Sequence, residues 1–377
     1  MTAVYIHVPF CLQKCRYCSF NSMPLPDDGM LVTGYLQALE KEIALYASRY
    51  PNEAITSIYL GGGTPTVLPA ESLCRILFCC RENFACSPEI EITIEANPGT
   101  ATQEMLQLLR DAGVNRLSLG VQSFKSAELQ MLGRSHSVSD IYTAYDAARK
   151  AGFDNINLDL IYALPGQSLE SWRDNLRSAI GLDSEHLSIY GLSLEEDTPL
   201  ADELKEGKLE ACSEEMQLSM WEETAAMVTE AGFIRYEISN YAKPGKECKH
   251  NITYWENKPY LGLGAGAHGY LDHVRYGNEK EIQKYIEMVE RGELPRSFEE
   301  HQSIKEEMVD TIIMGLRLTE GLSRPGFARR FGCPFESLYG KELKKMVEDG
   351  LMAISDEAVF LTEKGQLLSN YVLSHFV

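Results

Sequence analysis

Tyr5-Ile-His-Val-Pro-Phe-Cys11-Leu-Gln-Lys-Cys15-Arg-Tyr-Cys18-Ser-Phe20 is the stretch on which the reading of this chain turns. Val4 to Val8 is a short apolar segment of the kind that forms a buried strand, and three cysteines follow it at C-x3-C-x2-C spacing. Thiolates this close in sequence can converge on one metal centre. Four would saturate a zinc ion or an iron–sulfur cluster. Three on a four-iron, four-sulfur cluster leave one iron open to a small molecule that offers amino and carboxylate groups. A zinc knuckle completed by His7, or three unrelated core cysteines, are the plainer alternatives.

Outward from this loop, strand and helix alternate. Ser57-Ile-Tyr-Leu60 runs into Gly61-Gly-Gly-Thr-Pro-Thr66, and further strands are expected at Glu91–Glu95, Arg116–Gly120, Asn155–Leu160 and His186–Tyr190. Helical spacing of apolar residues marks Tyr35–Tyr46, Leu73–Phe78, Gln103–Asp111, Ile141–Lys150 and Leu169–Ile180. Strands alternating with helices in this way imply a parallel sheet with crossover helices. Six units are too few for a closed eight-stranded barrel, so the expected fold is α/β, a partial (β/α)6 barrel over residues 1–200. Cys11–Cys18, Gly61–Gly63, Glu95, Gln122 and Asp159 all fall just after strands, where β/α barrels build their active face. The glycine run lets a small ligand approach bare backbone that a Cβ would obstruct.

Beyond residue 200 the alternation changes. Residues 201–300 read as an α+β extension with a helix at Cys212–Ala231, and residues 301–377 as a winged-helix-like domain. Its wing is expected at Leu351–Ser355 and Ala358–Thr362, after a helix at Glu336–Asp349. That tail carries 9 Lys and Arg against 11 Asp and Glu, whereas a DNA-reading module is normally basic, so packing or partner docking is expected of it. Gly262-x-Gly264-x-x-Ala267 matches a loose dinucleotide fingerprint, but no apolar strand is read ahead of it.

Composition bounds the rest. A net charge of −20 over 377 residues disfavours adhesion to nucleic acid or to an anionic membrane surface. No apolar run reaches the roughly 18 residues of a spanning helix, and the chain enters a strand at once without a basic leader, so a cytoplasmic location is expected. Ten cysteines in such a chain point to metal or redox use, with Cys74, Cys79, Cys80 and Cys86 read as small buried residues of one helical stretch.

The cysteine spacing resembles the signature of the radical S-adenosylmethionine family, and Gly61-Gly-Gly-Thr-Pro resembles that family's glycine motif. His250-Asn-Ile-Thr-Tyr-Trp255 resembles the H-N-x-x-Y-W marker of the HemW-type heme chaperones, a branch of the oxygen-independent coproporphyrinogen III oxidase-like family. The resemblance runs from Tyr5 through the C-terminal region. It implies a 4Fe-4S cluster on Cys11, Cys15 and Cys18, whose electron cleaves S-adenosylmethionine, the radical chemistry being the cofactor's own. It implies S-adenosylmethionine contacts from Tyr5, Gly62, Gly63, Thr64 and Glu95, and from Gln122, Arg134 and Asp159. Arg suits a carboxylate and Asp a ribose. Tyr17 matches an aromatic that stacks on adenine or simply packs, and Ser193 and His268 match cofactor-lining positions more loosely. His250, set among aromatics, is implied in heme binding.

The oxidases of this family carry a fourth cysteine where this chain has Phe20, and an extension ahead of the first strand where only ten residues precede Cys11. Both departures favour the chaperone branch. The partners then implied are heme as cargo and heme-receiving proteins, including membrane respiratory enzymes, for a monomer or homodimer. Oxidative decarboxylation of coproporphyrinogen III, and a radical reaction on heme itself, are the rival activities.

Overall fold

Alternation along the strands sets which face of the sheet meets the helices. The computed structural model describes residues 2–51 and 53–377. Six strands pair parallel in chain order: β1 (Thr2–Val8), β2 (Ala54–Gly62), β3 (Ala85–Ala96), β4 (Arg116–Gln122), β5 (Ile156–Tyr162) and β6 (His186–Gly191). One face carries Ile58 and Leu60, Ile92 and Ile94, Leu117 and Leu119, Leu158 and Leu160, all in the main apolar core. Removing such side chains from water is the chief term that closes the helices onto the sheet. The opposite face of the same strands carries Tyr59, Glu95, Arg116, Ser118, Asn157, Asp159 and Ser188, which line a cavity. The barrel is therefore apolar outside and polar within.

The crossover helices are α1 (Gly29–Arg49), α2 (Ala70–Asn83), α3 (Gln103–Asp111), α4 (Ser126–Leu132), α5 (Val138–Lys150) and α6 (Leu169–Gly181). Side-chain caps begin several of them. Asp28 accepts from Met30 N at 2.9 Å, and Ser137 with Asp140 forms a capping box on α5. The short α4 was not expected from the sequence. Cys80 is buried as anticipated, but Cys74 and Cys79 are half-buried at the margins of α2, and Cys86 is half-buried near the start of β3.

The sheet continues past six strands. On the β6 side, β7 (Ile234–Arg235) and β8 (Asn240–Ala242) add antiparallel, after helices α7 (Pro199–Lys205) and α8 (Glu214–Glu230). On the β1 side, after α9 (Lys249–Trp255), β9 (Tyr260–Leu263) pairs parallel with Val4↔Leu261 register. Then β10 (His268–Leu271), β11 (Val274–Asn278) and β12 (Arg296–His301) follow antiparallel, with α10 (Ile282–Glu290) between the last two. The strand at Tyr260–Leu263 runs through Gly262 itself, so the motif does not follow a strand as a dinucleotide fingerprint would. The chain then turns back into antiparallel β10 instead of a helix, and the dinucleotide setting is absent as expected.

The last elements are α11 (Ile304–Gly315), β13 (Leu322–Ser323), α12 (Arg324–Phe331), α13 (Phe335–Glu348), β14 (Met352–Ile354), β15 (Ala358–Leu361), α14 (Glu363–Leu367) and α15 (Ser369–Leu373). The three strands form their own sheet, and Phe327, Phe335, Met346, Val359 and Phe376 belong to a second apolar cluster. Among the described residues no helix is long and apolar enough to cross a membrane.

Candidate functional site

A cavity of about 430 Å³ opens at the carboxyl ends of the strands and descends into the barrel, a size within the range of small-molecule sites. Cys11, Cys15 and Cys18 line its mouth. Their loop is braced from three sides. Gly63 N and Thr64 N donate to Val8 O and Phe10 O at 2.8 and 2.7 Å, fastening the end of β2 to the loop's base. Arg16 N donates to Leu132 O at 3.0 Å and Gln13 Nε2 to Gly133 O at 2.7 Å, which ties the loop to the end of α4. Asn21 Nδ2 donates to Ala265 O at 3.1 Å, tying the far side to the glycine-rich turn after β9.

Bracing of this kind gives the glycine run a role that ligand approach alone does not convey. A Cβ on Gly63 would stand 2.5 Å from Phe10 O, and Gly62 has φ +108° with the His7 imidazole against it. His7 is spent on its neighbours, with Nδ1 bonded to Tyr5 Oη at 3.0 Å and Nε2 to Asn21 O at 2.8 Å. It offers nothing to a zinc knuckle. No group of three or more His, Cys, Asp or Glu among the described residues closes on a single metal ion. A polynuclear cluster, by contrast, takes thiolates spread over a wider face.

Arg134 places a cation against this loop. Its Nη1 donates to Cys15 Sγ at 3.4 Å and its Nη2 to Gly120 O at 2.7 Å, while its buried Nε has no partner. Burial works to lower the Arg134 pKa, but the adjacent Tyr17 and Cys15 outweigh it and the net shift is upward. A guanidinium held beside a sulfur suits a thiolate, and its spare donor suits a carboxylate. Burial is the main cause that raises the Tyr17 phenol, ahead of the opposing effect of Arg134.

Deeper in the cavity, Glu95 accepts from Tyr59 Oη at 2.9 Å and from Gly62 N at 3.1 Å. Burial, then the neighbouring Asp159, pushes its carboxyl up to about 7. Asp159 accepts from Ser118 Oγ at 3.1 Å and Asn157 Nδ2 at 2.9 Å, and burial raises its pKa as well. Gln122 reaches the cavity from a left-handed backbone, φ +66°, an uncommon conformation for a residue with a side chain. Thr64 and Ser193 line the same space, as does Phe20, which is 66% exposed. The donor set fits both implied groups: three thiols on one braced loop beside a cation, and below them carboxyl, amide and hydroxyl groups facing a glycine-floored gap.

Three expected residues lie off the cavity wall. Tyr5 is on the inner face of β1, bonded to His7. His268 begins β10, exposed, with its ring 5.5 Å from Phe298. His250 corrects the expectation attached to it. It is 1% exposed, with Nδ1 bonded to Ser57 Oγ at 2.9 Å and Nε2 to Tyr254 Oη at 2.7 Å, so neither nitrogen is open to an iron. Burial, then Arg116, lowers its pKa to about 3. Helix α9 closes the base of the barrel there. Glu91 caps its start, accepting from Lys249 N and His250 N at 3.0 Å each. Of the His-Asn pair it is Asn251 that faces the cavity.

Residues 5–179 match the model of the Radical SAM superfamily, and residues 303–368 match the HemN C-terminal domain. The fold and cavity are thus those of a radical S-adenosylmethionine protein, a class that implies a 4Fe-4S cluster and S-adenosylmethionine. The solved structure described as "Coproporphyrinogen III oxidase (HemN) from Escherichia coli is a Radical SAM enzyme" superposes with a TM-score of 0.87 at 26% identity, covering 100% of this chain and 90% of that one. The chain is 38% identical to heme chaperone HemW of Bacillus subtilis over 100% of its length and 99% of the relative's. It is 36% identical to heme chaperone HemW of Lactococcus lactis, covering 100% and 97%. This chain belongs to the HemW family of heme chaperones within the radical SAM superfamily.

Proposed function

We propose that this protein binds heme and passes it to heme-dependent proteins, membrane respiratory enzymes among them, from the cytoplasm. The observation that carries the reading is end-to-end likeness to proteins named heme chaperone HemW. Cys11, Cys15 and Cys18 would hold the cluster, with Arg134 beside Cys15. Gly62, Gly63, Thr64, Glu95, Gln122 and Asp159 would hold S-adenosylmethionine, with Tyr17 and Ser193 at the rim. Tyr5 supports that site through His7, and His268 stands outside it. When bound, the cluster supplies a single electron and an open coordination position. The protein's own contribution is to brace the loop, present Glu95 and Asp159 to polar ligand groups, and keep bulk water from the barrel's interior. A division of the chain at about residues 200 and 300 belongs to the same proposal.

Heme titrated into the full chain under nitrogen should give a shifted Soret band at about one equivalent, and transfer of that band to an apo heme protein on mixing. The HemN likeness favours one rival, oxidative decarboxylation of coproporphyrinogen III. Anaerobic incubation with that substrate decides between them, since vinyl products formed with consumption of S-adenosylmethionine would sink the chaperone reading.

A further inference from the structure

Arg116 opens β4 at the bottom of the barrel interior, 2% exposed, and lines the floor of the cavity. A buried guanidinium is ordinarily paired or fully hydrogen-bonded. Here Nε has no partner, and no hydrogen bond or ion pair among the described residues engages this side chain. Thr93, its register partner on β3, also buries a hydroxyl without a partner. Asn251 meets the same floor from α9.

The acids nearby are committed elsewhere. Glu91 accepts from the start of α9 and from Cys248 Sγ at 3.5 Å. Glu95 accepts from Tyr59 and Gly62, and Asp159 from Ser118 and Asn157. Those carboxylates balance the charge at a distance but leave the donor fork empty. The guanidinium and the Asn251 carboxamide line one small space, with the unpartnered Thr93 hydroxyl buried on the adjoining strand beside Arg116, and donors so placed call for a planar acceptor with several lone pairs.

We propose that Arg116, with Thr93 and Asn251, forms a carboxylate-binding subsite at the base of the barrel, below the residues assigned to S-adenosylmethionine. Its occupant is either a small free carboxylate or the carboxylate arm of a larger ligand. The subsite itself stands apart from the heme reading; only the porphyrin comparison in its test rests on that reading.

The test uses the full chain purified without oxygen, the wild type beside Arg116→Gln and Thr93→Val. Propionate is titrated calorimetrically, with propionamide as the uncharged control. Protoporphyrin and its dimethyl ester are titrated by absorbance. The free-acid source predicts propionate binding at least about tenfold tighter than propionamide, lost in Arg116→Gln and weakened in Thr93→Val. The arm source predicts tighter binding of protoporphyrin than of its ester, a preference that Arg116→Gln removes. Should Arg116→Gln fail to fold, Thr93→Val, which removes one hydroxyl at nearly constant volume, must still weaken whichever carboxylate binds. Equal affinities for charged and uncharged probes in the wild type would overturn the proposal, leaving water as the occupant. Absence of any porphyrin binding beside intact propionate binding would instead sink the heme reading alone.

Discussion

A Cβ at position 63 would stand 2.5 Å from Phe10 O and 2.7 Å from Val8 O, both backbone atoms that cannot swing away. Gly63→Ala should therefore push the end of β2 off the cysteine loop at a cost of about 1–3 kcal/mol, as overpacking typically does. Chemical denaturation checks the cost, and iron per chain after reconstitution should fall with it; a full complement of iron would mean the loop is held without this contact. His250→Ala should act on stability instead of ligation. Orphaned hydroxyls on Ser57 and Tyr254, plus the cavity, should cost about 2–4 kcal/mol, while heme affinity and Soret maximum stay put. Lost heme binding at unchanged stability would restore His250 as ligand. The sequence showed that His250 and Asn251 were a unit but not which faced inward. On a helix consecutive side chains diverge by about 100°, and only the placement of α9 under the barrel decides. Arg116 and Thr93 were invisible for a similar reason. An Arg beginning Arg-Leu-Ser-Leu reads as a solvated strand end unless the polar face of the strand is known to point inward.

At the scale of elements, helix α1 is bound to the β9–β10 turn and to α10 through one buried acid. Glu42 accepts from Gly264 N, Tyr285 Oη and Asn278 Nδ2, each at 2.7 Å. Burial, opposed by those donors, raises its pKa to about 7, above the 4.5 of a free side chain. The folded protein therefore holds this proton more tightly than the unfolded chain does. Stability from this group is full below about pH 4.5 and is lost as pH rises through about 7, on the order of 3 kcal/mol. Glu95, raised to about 7 in the same way, adds a parallel loss. Across pH 5 to 8, the change in unfolding free energy should be less downward in Glu42→Gln than in the wild type, and less downward again in the Glu42→Gln, Glu95→Gln double variant. A wild-type slope retained by Glu42→Gln would place the titration elsewhere. None of this clamp could be read from the sequence, where Glu42 is one of several charges on a helix. The elements themselves were plainer: α3 was expected at Gln103–Asp111 and lies there, because its apolar period and its Thr102 cap agree. The strand β12, Arg-Ser-Phe-Glu-Glu-His, was missed because an exposed edge strand has no buried face to impose alternation on it.

For the whole molecule, the question is whether the two apolar clusters melt together. The C-terminal cluster around Phe327, Phe335 and Phe376 is separate from the barrel core, and polar contacts join the two. Arg330 Nη2 reaches Asn257 O at 2.9 Å, His273 Nδ1 bonds to Glu307 at 2.6 Å, Arg275 pairs with Asp310 at 2.7 Å, and Thr319 N donates to Tyr236 O at 2.9 Å. Polar junctions transmit less cooperativity than shared apolar cores, because the desolvation of half-buried charges offsets much of what their pairing contributes. Phe335→Ala should therefore cost about 3–5 kcal/mol within the C-terminal unit and leave the barrel intact. Guanidinium denaturation followed by far-ultraviolet ellipticity should then show an early phase, separated from the bleaching of the iron–sulfur absorption, which should keep its wild-type midpoint. If both signals move down together, the C-terminal unit is part of the barrel's folding unit, and α11, tied through Thr311 to Asn257 in the turn just after α9 at 3.0 Å, is the element that couples them. That outcome would also bear on heme delivery. A partner docking on residues 301–377 could then act on the floor of the cavity through α9, whereas independent melting confines any such partner to a tether.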